Sequence, residues 1–277
     1  MSLEHGFRYK IMNNIFHSIK LFLALYCAIA SFQSIAGVSM PQGKSFDEMS
    51  QEGYVLLDSV NMSLLYLLST SEKFDPKATL YYGKMDVPGE FQDSVNTLAS
   101  RDEFKSHEAL LRLSPFLDAR IQVMNNAKAY LIPLNVTIGP YDFAKKRFPL
   151  LIDLPVTLKK SNKQLYCSGA FEQLRNEVST VCIEPTNWNK NSLAFNYLDI
   201  DDSNSAESFK QNYQNHQIAF VFVVEKNGDI NLYNKNYLEY GFAPRHKISV
   251  IQPVKVIGII IYDLSTENVL LSAPMSQ

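Results

Sequence analysis

Apolar residues recur at helical spacing in the first third of the chain. Across Phe46–Leu68 most of them follow one another at intervals of three or four residues, which places them on one helix face. Ser45 and Glu48 form a capping-box pair at the start of this segment. A second box, Ser100–Glu103, predicts another helix, which ends at Pro115. The pattern therefore predicts helices at the start of the folded part of the chain.

Beyond these helices the pattern changes to short runs rich in β-branched and aromatic residues, which is typical of strands. The predicted strands are Ala129–Ile138, Phe148–Leu158, Gln164–Ala170, Val178–Glu184, Leu193–Ile200, Ile218–Glu225 and Val254–Tyr262. Pro133 indicates an edge position or a bulge in the first of them. A helix at 205–213, capped by Asn204, interrupts the series.

Two strand pairs are predicted from turn residues. Asn227-Gly228 is typical of a two-residue hairpin turn, so Asp229–Tyr233 is expected to return beside Ile218–Glu225. Val269–Leu271 is the expected partner of Val254–Tyr262. Ile218–Glu225 is almost wholly apolar, which favours a central strand covered on both faces.

Helices first and strands afterwards predict an α+β fold rather than alternating α/β. The connections are short, so we expect N-terminal helices packed on a largely antiparallel, twisted β-sheet. The preferred organisation is a single domain over residues 37–277. A helical subdomain at 37–115 is the alternative.

The N-terminal region has the three-part pattern of a secretory signal peptide. Lys20 precedes an apolar run over Leu21–Ala30, and small residues lead to a cleavage site after Ala36. The run is too short to span a bilayer core, which needs about 20 apolar residues. A polar preface makes Met12 the preferred start. The prediction is export of residues 37–277, with the bacterial periplasm preferred over secretion, and no stable membrane anchor after cleavage of residues 1–36.

Removal of the leader leaves 23 basic and 27 acidic side chains. This mild negative balance gives no electrostatic footprint for nucleic acid or for an anionic membrane surface. Two cysteines remain, Cys167 and Cys182. An even pair in an exported chain predicts a disulfide bond.

The motifs of common catalytic and cofactor sites are not found in the sequence. There is no G-x-S-x-G elbow and no phosphate-binding glycine loop. His107-Glu108 begins a zinc-protease signature, but Leu111 stands where the second histidine is needed. The acidic segment 199–204 lacks the glycine and glutamate of an EF-hand loop. We therefore predict no cofactor and no metal site, and favour a non-catalytic protein.

The alternative is an exported hydrolase with an unfamiliar site. In that interpretation His216 or His246 acts with carboxylates from Asp199, Asp201 and Asp202. It requires one of the histidines to lie in a pocket within reach of an acid.

Two groups of aromatic residues are candidates for a binding surface. Tyr141 and Phe143 flank a basic turn. The second group consists of Tyr233, Tyr237, Tyr240 and Arg245. Such residues either contact an unknown macromolecule, a protein or a glycan, or cover the rim of the core. The expected function is recognition of that macromolecule in the cell envelope or outside the cell.

Overall fold

The computed structural model describes residues 40–275, apart from 42, 70–75, 155, 159–162, 174–176, 189–194 and 236–245. The α-helices are α1 (Phe46–Gln51), α2 (Ser59–Ser69), α3 (Pro76–Tyr82), α4 (Gln92–Thr97), α5 (Glu103–Asn125) and α6 (Ser203–Gln214). The strands are β1 (Tyr54–Leu56), β2 (Ala129–Ile138), β3 (Arg147–Asp153), β4 (Val156–Leu158), β5 (Lys163–Gln173), β6 (Glu177–Pro185), β7 (Tyr197–Asp199), β8 (Ile218–Lys226), β9 (Asn231–Lys235), β10 (His246–Asp263) and β11 (Asn268–Pro274). Short 3₁₀ turns, Lys84–Asp86 and Gly89–Phe91, link α3 to α4.

The predicted α+β class is confirmed: helices precede a curled, mixed and mostly antiparallel sheet. The main strand order is β4-β5-β6-β10-β8-β2-β3-β7. β1 pairs with β2 and β6 with β10 in parallel, and the other pairings among the described strands are antiparallel. The domain boundaries remain a prediction.

The first predicted helix is divided into two. The capping box of Ser45 and Glu48 is present at α1, but α1 ends at Gln51. Gly53 has φ +90°, a conformation that glycine adopts without strain, and an added Cβ would lie 2.9 Å from the carbonyl oxygen of Asn126. The turn at Gly53 leads into β1, so a continuous helix over 46–68 was a wrong prediction.

Helix α5 continues ten residues beyond Pro115, which was predicted to end it. A proline leaves the carbonyl four residues earlier without its helical donor. Here that residue is Leu111, and both Leu111 and Pro115 are solvent-exposed, so water can reach the carbonyl. The buried stripe of Leu113, Leu117 and Met124 holds the helix on both sides of the proline.

The long strand β10 replaces the predicted hairpin after Asn227-Gly228. Lys226 of β8 lies opposite Val254, and Asn231 of β9 lies opposite Ile251 on the same edge of β10. β9 therefore continues β8 along β10 instead of returning beside it. The Asn227 amide donates to Pro253 O (3.0 Å), which holds the junction against β10. The hairpin prediction was wrong because Asn227-Gly228 lies at a kink between β8 and β9, and both strands run in the same direction along one edge of β10.

The other predicted pairings are confirmed. β11 lies antiparallel to β10, and β8 is buried between β2 and β10. Cys167 of β5 faces Cys182 of β6 and forms the predicted disulfide, with Cα atoms 4.1 Å apart. Pro133 lies opposite Val221 of β8, and on the other edge of β2 it falls between the residues paired with β1 and with β3. Among the described strands, that edge of β2 has no partner at Pro133, which suits a residue that has no N–H to donate.

Several helices pack on the curled sheet. α2 and α3 pack against β5, and α6 packs on β8 through Tyr213 and Phe220. Phe46 of α1 packs edge-on against Tyr262 of β10, with ring centroids 4.6 Å apart. In the part of the chain that the structure describes, no helix combines the length and apolarity needed to cross a membrane.

Candidate functional site

The turn between β2 and β3 presents the first aromatic group. The Asp142 carboxylate accepts hydrogen bonds from the amides of Ala144 and Lys145, both 3.0 Å, and thereby fixes the turn. Gly139 allows the end of β2 to approach Pro149 closely, since a Cβ there would lie 2.5 Å from Pro149 Cγ. Contacts within the chain therefore fix the conformation of this turn without a bound partner.

Tyr141 and Phe143 have different roles in this turn. The Tyr141 hydroxyl donates to Ile200 O at 2.5 Å, and its ring packs on the buried Phe148. Burial, and then the nearby charge of Asp201, raises the pKa of Tyr141, so its hydroxyl stays a neutral donor. Tyr141 thus covers the core rim. Phe143 packs edge-on against Tyr141 but is 77% exposed.

Beside the turn, β3 and β7 carry three further side chains of kinds that are common in binding surfaces: an arginine, a leucine and a tyrosine. The Arg147 guanidinium lies over the Tyr197 ring, 3.8 Å from the centroid. Tyr197 is 51% exposed, and Leu151 on β3 is 56% exposed. The β3–β7 register places Pro149 opposite Tyr197. We call Phe143, Arg147, Leu151 and Tyr197 the β3–β7 surface.

Strand alternation explains why these side chains face solvent. In β3, Phe148 and Ile152 point into the core, so Arg147 and Leu151 point outwards. In β7, Leu198 is buried and its neighbours Tyr197 and Asp199 are exposed. The exposed aromatic and aliphatic groups are therefore placed by the same pattern that builds the core.

The charges of this surface are balanced at short range. Arg147 lies opposite Asp199 in the strand register. Lys145 Nζ lies 4.0 Å from Asp142 Oδ2, an exposed pair that contributes little to stability. With cations and carboxylates interspersed, aromatic and aliphatic area is the main feature that a partner can recognise.

Comparison of the chain with protein-family models, with curated proteins and with solved structures found no match.

The acidic candidates lie at the β7–α6 connection. Asp199 ends β7, and Asp201 is exposed. Asp202 is the N-cap of α6, where Asn204 was predicted; its carboxylate accepts from the Ser205 amide at 2.8 Å. The Ser205 hydroxyl donates to the same carboxylate at 2.8 Å, and the two hydrogen bonds from Ser205 lower the pKa of Asp202. The prediction of Asn204 as cap was wrong because the helix begins two residues earlier.

The histidine candidates lie elsewhere in the fold. His216 is exposed just after α6, with φ +57°, and its amide donates to Tyr213 O. His246 begins β10, and its side chain lies outside the described residues. Across the described ranges, no group of three or more His, Cys, Asp or Glu side chains is arranged to hold a metal ion.

The second predicted aromatic group falls largely outside the described residues. Tyr237, Tyr240 and Arg245 belong to the gap 236–245. Tyr233 lies in β9, and its side chain is not among those described. That part of the predicted surface remains a prediction.

Sequence reasoning named Tyr141 and Phe143 but did not assign Arg147, Leu151 and Tyr197 to the candidate surface. Arg147 was visible only as the end of a basic run, and Tyr197 as part of an imperfect strand. The signal that connects them is the pairing of β3 with β7, two strands far apart in the chain.

Proposed function

We propose that the protein is an exported, non-catalytic protein of the bacterial cell envelope or secretome, and that it binds another macromolecule through the β3–β7 surface. The partner is a protein or a glycan. The stacking of Arg147 on Tyr197 at 3.8 Å, on a solvent-facing part of the sheet, is the observation that carries the proposal.

This pair has the properties of a recognition element. Tyr and Arg are enriched at positions that contribute most to binding, because they offer large contact area and several donors. Stacking already orders both side chains, so less conformational entropy is lost when a partner binds. Phe143 and Leu151 extend the area with apolar groups suited to protein side chains or to the faces of sugar rings.

Export is supported by the leader pattern of residues 1–36 and by the disulfide of Cys167 and Cys182. Such bonds persist in oxidising compartments. Fractionation of expressing cells, followed by N-terminal sequencing, tests this part of the proposal. We expect a periplasmic or extracellular chain that begins at Gly37; an intact leader on a cytosolic chain contradicts it.

Site-specific photo-crosslinking tests the surface. A photoreactive phenylalanine analogue replaces Tyr197 or Phe143, and Leu264, exposed in the β10–β11 turn, is the matched control position. We expect a discrete adduct from positions 197 and 143 and none from 264. Protease or glycosidase treatment of the adduct distinguishes a protein from a glycan.

The variant Arg147→Ala, combined with the crosslinker at Phe143, completes the test. Because the guanidinium orders Tyr197, we expect at least a fivefold weaker adduct in this variant with unchanged thermal unfolding. Equal labelling at positions 143, 197 and 264 contradicts the proposed surface.

A further inference from the structure

A pocket of about 460 Å³ lies on a different part of the molecule from the β3–β7 surface. It is formed where α2 and α5 end, β2 begins and β8 ends. Its volume falls in the range of small-molecule sites, about 300–1,000 Å³. Of its apolar lining residues Leu65, Leu68 and Met124, Leu65 and Met124 are buried, so Leu68, which is 45% exposed, presents the apolar surface.

Two lysines, Lys128 and Lys226, also line this pocket. The β2–β8 register pairs Tyr130 with Val224; Lys128 directly precedes β2 and Lys226 ends β8, so both lysines lie at the same end of this strand pair. Like charges that line one pocket repel each other, and an anion bound there relieves that repulsion.

Neither lysine has a carboxylate within ion-pair distance among the described residues. Among the described residues that line the pocket, the charged side chains are these two lysines and Glu225. Burial lowers the pKa of Lys226, as expected for an ammonium group partly withdrawn from water without a compensating anion.

Tyr130, which also lines the pocket, supplies a neutral donor. Lys226 Nζ lies 5.8 Å from the centroid of its ring. Burial raises the pKa of Tyr130 to about 12, so the hydroxyl remains protonated at neutral pH. That hydroxyl has no hydrogen-bond partner among the side chains that the structure describes, and it can donate to a ligand.

We propose that this pocket binds an amphipathic organic anion, with a carboxylate or phosphate headgroup held by Lys128 and Lys226 and an apolar body against Leu68. The competing explanation is that the lysines only offset the negative ends of α2 and α5, whose last turns carry no basic residue. That explanation predicts an effect on stability but no saturable ligand binding.

Calorimetric titration of the full chain distinguishes the two explanations. The probes are decanoate and decyl phosphate, with n-decanol as the uncharged ligand of equal chain length. We expect one saturable site for at least one of the two anions and at least tenfold weaker binding of n-decanol. The better anion identifies the headgroup. Absence of saturable binding for both anions overturns the proposal.

Variants locate the site. Lys226→Met keeps the apolar stem and removes the charge, and Lys226→Arg restores the charge. Lys255→Met, on an exposed lysine opposite Glu225 on β10, is the matched control. We expect at least tenfold weaker anion binding for Lys226→Met, and near-native affinity for Lys226→Arg and Lys255→Met. Equal affinity of the Lys226→Met and wild-type proteins overturns the proposal, and circular dichroism confirms that each variant is folded.

Discussion

The side-chain amide of Asn187 forms two hydrogen bonds with the backbone of Val256. Asn187 Oδ1 accepts from the Val256 amide at 2.8 Å, and Asn187 Nδ2 donates to Val256 O at 2.9 Å. Val256 lies in β10 where β6 has ended, beyond Val254, and β11 begins to pair at Gly258. One side chain therefore takes the place of a strand residue in the gap between two collinear strands.

Asn187→Ala is expected to lower the free energy of unfolding by about 1–3 kcal/mol, since it leaves two backbone groups of buried Val256 without partners. Asn187→Asp keeps the acceptor but sets a second acceptor against Val256 O, so we expect at least an equal loss. Urea-induced unfolding measures both values. Changes below about 0.5 kcal/mol in both variants contradict this role.

Removal of the disulfide is expected to lower the free energy of unfolding by about 3 kcal/mol, because the open chain gains conformational entropy in the unfolded state. Cys167→Ala/Cys182→Ala is the variant, and denaturant unfolding with and without reductant is the measurement. Reductant should destabilise the wild-type protein and leave the double variant unaffected. A wild-type midpoint that reductant does not shift contradicts the prediction.

Asp202 gives α6 a pH-dependent cap. Hydrogen bonds from Ser205 hold the pKa of Asp202 below its ordinary value of 3.8, so the folded state favours the ionised form. The resulting stabilisation is present above pH 3.8 and is lost as the pH falls through the lower folded-state pKa. Asp202→Asn does not titrate there. We expect the Tm difference between wild type and Asp202→Asn to shrink from pH 7 to pH 2; a constant difference contradicts this.

Two glycines with positive φ should respond differently to alanine. At Gly228 (φ +101°) nothing lies within 4 Å of an added Cβ, so Gly228→Ala should cost only about 1 kcal/mol of backbone strain. At Gly53 the added Cβ also meets Asn126 O at 2.9 Å. Thermal unfolding should therefore show a larger loss for Gly53→Ala, and the reverse order contradicts this account.

Local patterns predicted those parts of the fold that local interactions decide. The box of Ser45 and Glu48, strand β2, strand β8 and the facing cysteines depend on neighbours in sequence or on burial. The hairpin predicted at Asn227-Gly228 was wrong because the same dipeptide is compatible with both a hairpin turn and a kink between strands. The distant β10 decides between them by offering partners to both β8 and β9.

The same limit applies to the candidate surface. Phe143 was predicted from its position beside a basic turn, and its exposure follows from that turn. Arg147 and Tyr197 are 50 residues apart, and only the pairing of β3 with β7 stacks one on the other. A single sequence contains no local feature that specifies this pairing.

The position of β10 along the chain sets the order in which the molecule can assemble. β6, β8 and β9 all precede β10, yet each uses it as a neighbour. As the chain is synthesised, the apolar β8 is complete before its partner β10. Completion of the sheet therefore depends on contacts between residues far apart in the chain, which favours slow folding, and the unpaired edge of β8 is prone to aggregation in the meantime.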